Sequence, residues 1–151
     1  MKAELHNETF ELLCKVAEQY NIKFIEVTDF DNCIRVGSEN FVSQTENAQF
    51  RYHIEITIFP GPGNFSENYF SVSKTTYLNE QIVDSIMDTV LDIPCTYITD
   101  EYYDNVCKRR KPLIPKDVFY RISSVLKEYK EKQNHVNLVM IHYYLNFKVQ
   151  V

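Results

Sequence analysis

The sequence predicts an α+β fold: a predominantly antiparallel sheet of about four to five strands, with three to four helices packed on it. Three observations lead there. Residues 50–59 alternate apolar and polar with the period of a strand. Residues 8–20 and 116–129 instead repeat their apolar residues at helical spacing. The elements run as helix, then several strands, then helices, an order that favours an antiparallel sheet with helices on one face.

The chain has 151 residues, a length that suits one globular domain spanning 1–151 and large enough to bury a core without staples. In the first helix Asn7 reads as the N-cap, with Glu8 in the first turn. Phe10, Leu13, Val16, Ala17 and Tyr20 form its stripe, and Asn21 ends it. Lys23 to Thr28 and Cys33 to Val36 read as a hairpin about an Asp29–Asn32 turn, closed by Gly37. Ser38 to Gln49 is polar and loop-like, anchored by Phe41 and Val42. Phe50 to Phe59 places Phe50, Tyr52, Ile54, Ile56 and Ile58 on one strand face. Pro60-Gly61-Pro62-Gly63-Asn64 stops it, and Tyr69 to Lys74 returns as another strand.

Asn79 then reads as the cap of a helix reaching about Asp92, with an apolar stripe of Ile82, Val83, Ile86, Val90 and Leu91. Asp100 caps a short helix to about Arg109. Pro115 suits the first turn of a last helix whose core face is Val118, Phe119, Ile122, Val125, Leu126 and Tyr129. Val139 to Val151 alternates and reads as a long final strand.

Composition narrows the function classes. The net charge of −5 disfavours direct nucleic-acid binding and favours a basic protein as partner. The N-terminal residues show no signal-peptide pattern and no apolar run spans a bilayer, so the expectation is a cytoplasmic protein without a membrane association. Cys14, Cys33, Cys95 and Cys107 form no Cys-x-x-Cys pair and read as free thiols. No P-loop, dinucleotide, EF-hand or zinc-protease motif occurs, so no cofactor and no metal is expected.

The acidity is concentrated. No Lys or Arg lies between Lys74 and Lys108, while Glu80, Asp84, Asp88, Asp92, Asp100, Glu101 and Asp104 all do. On a helix, Glu80, Asp84, Asp88 and Asp92 would stack as one stripe opposite the apolar face. Tyr97, Tyr102 and Tyr103 interleave with the later acids, and tyrosine supplies rigid contact area at interfaces. The favoured reading is a non-enzymatic binding or inhibitor protein. It would occupy a basic, nucleic-acid-binding surface by imitating phosphates and bases.

Three weaker signals stand beside it. Lys108, Arg109, Arg110 and Lys111 form a basic run that can hold an anion. Set against the preceding acids, the run makes a dipolar surface that allows a homodimer. His53 and His142, with Glu55, would give a small phosphoester hydrolase its acid/base pair if both sat on strands facing one cleft. The residues two places on are Glu55 and Tyr144, where a phosphate-holding hydroxyl of the Ser/Thr kind would be wanted.

Overall fold

The computed structural model describes residues 2–30, 32–46, 48–61, 65–77, 85–110 and 114–149; at 2–4, 66, 85, 88–91, 110 and 134–149 it describes the backbone alone. The chain is α+β, as expected. Helix α1 (Lys2–Glu18) leads into strands β1 (Phe24–Asp29), β2 (Ile34–Ser38), β3 (Phe50–Ile58), β4 (Tyr69–Tyr77) and β5 (Ser85–Pro94). Helices α2 (Asp100–Asn105) and α3 (Lys116–Val149) follow. The strands form one antiparallel sheet in the order β1-β2-β3-β4-β5, a meander in which each strand pairs with the one before it.

Strand alternation sorts the sheet into two faces. Ile34 and Val36, then Tyr52, Ile54, Ile56 and Ile58, then Phe70, Val72 and Ile93 are buried on the inner face. Leu13, Val16 and Ala17 of α1 join the same core, together with all six core positions predicted for the last helix. Phe70 of β4 meets Phe119 of α3 with ring centroids 6.4 Å apart. Arg35, Arg51, His53, Glu55, Ser71 and Ser73 take the alternate positions on the outer face.

The end of α1 is built by a left-handed residue. Asn21 has φ 57°, Asn21 N donates to Glu18 O at 3.2 Å, and Ile22 N donates to Ala17 O at 3.1 Å. That pairing is a Schellman motif, which Asn tolerates better than most side chains. Arg121 on α3 reinforces it, donating to Tyr20 O at 2.8 Å and Asn21 O at 2.5 Å while its guanidinium lies 4.6 Å from the Phe41 ring centre.

Three expectations are corrected. Asn7 is not an N-cap, because α1 starts at Lys2 and Asn7 lies inside it. Residues 85–92, expected in a helix, belong to β5, and Asn79 lies outside the described residues. β5 pairs the side of β4 that faces away from β3, through eight registered pairs from Tyr69↔Pro94 to Tyr77↔Ser85. Residues 139–149, expected in a strand, continue α3, a 34-residue helix about 51 Å long. No Gly or Pro occurs from Lys116 onward, so nothing stops a helix already nucleated there.

Candidate functional site

The four-carboxylate stripe does not exist as a helix face. Glu80 and Asp84 lie outside the described residues, and Asp88 and Asp92 are strand residues. Asp88 is in register with Lys74 and Asp92 with Ser71. A register shift between these pairs sets the two acids opposite β4 positions of different faces, since Lys74 is buried inward and Ser71 is half-buried outward. Asp92 itself is exposed and accepts a hydrogen bond from Ser71 Oγ.

The later acids and tyrosines do form a compact surface. Pro94 leads into a 3₁₀ turn at Cys95–Tyr97, and α2 follows within three residues. The cap of α2 is Thr99, whose hydroxyl accepts from Tyr102 N at 3.1 Å; Asp100 is the first helical residue. Asp100 and Glu101 therefore sit in the first turn, where the backbone N–H groups favour negative charge. Tyr97 and Tyr102 stack, with centroids 5.5 Å apart and planes 23° apart, and Tyr97 is 54% exposed. Asp100, Glu101 and Asp104 are exposed around this pair.

Tyr103 belongs elsewhere. One residue along a helix rotates about 100°, and Tyr103 turns into the core, where it is only 5% exposed. Its hydroxyl donates to Ile114 O at 3.0 Å and its ring packs 5.2 Å from Phe119. Burial, with Cys107, Asp104 and Asp117 nearby, raises the phenol above its ordinary value. Tyr103 is therefore an anchor for α2 and not part of the surface.

The basic run follows α2 on a 3₁₀ turn at Cys107–Arg110. Lys108 and Arg109 are exposed, the Arg110 side chain is not described, and Lys111 lies outside the described residues.

The paired strand histidines are also corrected. His53 is on β3, whereas His142 is on α3, with its side chain outside the described set. His53 Nδ1 lies 2.7 Å from the Ser38 carbonyl oxygen, so Nδ1 carries the hydrogen and donates it. Nε2 faces Glu55 Oε1 at 3.6 Å, beyond hydrogen-bond distance. Among the described residues, no group of three or more His, Cys, Asp or Glu is placed to hold a metal ion. No helix among them is long and apolar enough to cross a membrane.

Two further arrangements have little or no distinctive signal in the sequence. A shallow groove of about 350 Å³ lies between the end of α1 and α3, lined by Gln19, Tyr20, Ser124, Lys127, Glu128 and Glu131. Tyr20 donates to Glu128 across it at 3.0 Å. In the second, the loop before β3 is fastened to the start of α3. Asp117 accepts from Ser43 Oγ at 2.6 Å, Gln44 N at 2.8 Å and Thr45 Oγ1 at 2.9 Å. Burial pushes the Asp117 carboxyl up, but these donors and the Arg121 charge more than offset it, and it titrates below its ordinary value. The hint available was a pair of hydroxyl residues two apart and an acid at a helix start, a combination too common to single out.

No family model, no curated protein and no solved structure matches this chain.

Proposed function

We propose that the protein is a non-enzymatic binding module that engages a basic surface on a partner protein through the segment from Asp92 to Asp104. The supporting observation is the stacked Tyr97–Tyr102 pair, Tyr97 exposed and Tyr102 half-buried against the core, with the exposed acids Asp100, Glu101 and Asp104 beside it. Aromatic pairs of this kind are the anchors that carry most binding free energy at interfaces. The carboxylates would steer a basic partner and set the salt dependence of its arrival. An inhibitor of a nucleic-acid-binding protein would use the same surface, its acids standing where phosphates sit and its rings where bases stack.

The test separates anchors from steering. A partner captured from the native host by the immobilised chain is purified and its binding kinetics measured. Tyr97→Ala with Tyr102→Ala is expected to speed dissociation by tenfold or more, on the order expected of an aromatic anchor. Asp100→Lys, Glu101→Lys and Asp104→Lys together are expected to slow association and flatten its salt dependence. Unchanged kinetics in both variants would rule this surface out.

A further inference from the structure

The edge of the sheet furthest from α2 has the properties of a strand acceptor. β1 has β2 on one side and is an outer strand of the sheet. Five of its six residues are exposed. Ile25 and Val27 are 52% and 47% exposed, and Phe30 just beyond the strand is 42% exposed. Natural edges are usually blunted with Lys, Pro or a bulge. β1 has a bulge at Ile25 and the two acids Glu26 and Asp29, which deter a like-charged or neutral chain but not a basic one, and from Phe24 to Phe30 it has neither Lys nor Pro.

The ladder tells which backbone groups are open. Phe30 N donates to Cys33 O at 2.8 Å, which makes that pair a hydrogen-bonded one. Pairs alternate along an antiparallel ladder, and the register runs Asp29↔Ile34, Thr28↔Arg35, Val27↔Val36. The N–H and C=O groups of Val27 and Asp29 therefore point away from β2. An extended chain laid along β1 meets them at its own hydrogen-bonding positions.

Charge decides what kind of chain fits. Glu26 and Asp29 lie on the strand, and Asp29 already meets His6 of α1. Cys14 of α1 sits against Phe24 O, with the Glu11 and Glu18 carboxylates close enough to raise its thiol further after burial. Four carboxylates, Glu11, Glu18, Glu26 and Asp29, thus lie on or beside this edge, against three cations in the same stretch, Lys15, Lys23 and Arg35.

We propose that the β1 edge accepts an extended, Lys- or Arg-bearing segment of a partner protein as an added strand. The proposal rests on the basic-partner reading above for its charge sense, and places a second contact at the opposite edge of the sheet from the tyrosine surface. The probe is the acetylated heptapeptide Lys-Val-Lys-Val-Lys-Val-Lys, titrated at low ionic strength into the isotopically labelled full chain and followed by amide shifts. The Val27 and Asp29 amides are expected to shift and to exchange more slowly. Val27→Pro removes an outward N–H and leaves the β1–β2 ladder intact; it is expected to weaken binding by roughly threefold or more, as loss of one net hydrogen bond implies. Glu26→Lys with Glu18→Lys, which keeps every backbone donor, is expected to weaken it as well.

Four results would overturn the proposal. Shifts confined to residues 97–104 would do so while leaving the basic-partner reading standing. Equal binding of a Glu-Val alternating peptide would remove the charge basis. Conversion of a dimer to a monomer by Val27→Pro would show that the edge takes a second copy. Absence of any shift on β1 would show that the edge takes no strand.

Discussion

Asp117→Ala is the sharpest probe of how the loop before β3 is held. The wild-type carboxylate accepts three hydrogen bonds, from Ser43 Oγ, Gln44 N and Thr45 Oγ1. Bonds to a charged acceptor contribute about 1.5–3 kcal/mol each when buried, and less when solvent competes. Gln44 and Thr45 are exposed and recover bonds to water. Ser43 is buried but keeps its contact with Thr45 Oγ1 at 3.1 Å. The expected loss is therefore about 2–3 kcal/mol, well short of the sum of three buried bonds. Asp117→Asn, which keeps one carbonyl acceptor, is expected to lose about 1 kcal/mol.

Urea unfolding at neutral pH reads this directly, as a lower midpoint with an unchanged slope. Acidity gives the second readout. The folded carboxyl titrates below the unfolded value of 3.8. Its contribution is complete above that unfolded value and is lost as pH falls through the lower, folded one. Wild type and Asp117→Ala should therefore converge in acid. A midpoint shift equivalent to under about 0.5 kcal/mol, the size of an ordinary surface substitution, would refute the latch. So would a gap that stays constant from neutral pH to below the folded pKa.

Three further outcomes are expected. Asn21→Gly should leave thermal stability near wild type, whereas Asn21→Val should cost about 1–2 kcal/mol, because a β-branched residue resists the left-handed φ of 57°; equal melting points would contradict the Schellman cap. Leu126→Ala, at a fully buried position on α3, should cost about 2–5 kcal/mol in denaturant unfolding; a loss under 1 kcal/mol would remove Leu126 from the core. Thiol labelling of the native chain should reach Cys14 and Cys33 slowly and spare Cys95 and Cys107, with all four reacting after unfolding. Burial raises Cys14 and Cys33 and pushes the Cys95 thiol up to about 12, so little thiolate forms; rapid native labelling of Cys95 would contradict its placement.

The fold class, the β1–β2 hairpin, β3 and the α3 core face were legible because each has a pattern with a single period. Tyr52 to Ile58 alternates cleanly, and Val118 to Tyr129 repeats at three and four. β5 was misread because a spacing of four is both one helical turn and two strand repeats, so Asp84, Asp88 and Asp92 fit either structure. The β-branched run Ile82, Val83, Ile86, Thr89, Val90 and Ile93 was the better signal, and it favours a strand. The tail was misread for a different reason: Met140 and Tyr144 interrupt the polar parity of residues 139–151, so the alternation was only apparent. At the candidate site, the clustering of acids and tyrosines was visible, but the inward turn of Tyr103 was not. That turn is set by where Thr99 caps α2, one residue earlier than Asp100.

The meander has a consequence for synthesis. Every strand pairs with its sequence neighbour, so the sheet can zip together hairpin by hairpin as the chain emerges from the ribosome. Its inner face cannot be covered so early. The Tyr20–Glu128 contact joins residues 108 apart, and Arg121 reaches back 100 and 101 residues to close the end of α1. At ordinary elongation rates the first helix waits roughly 5–20 s for the third. Through that interval Ile54, Ile56, Ile58 and Phe70 belong to a core whose α3 members, Phe119 among them, are not yet in place.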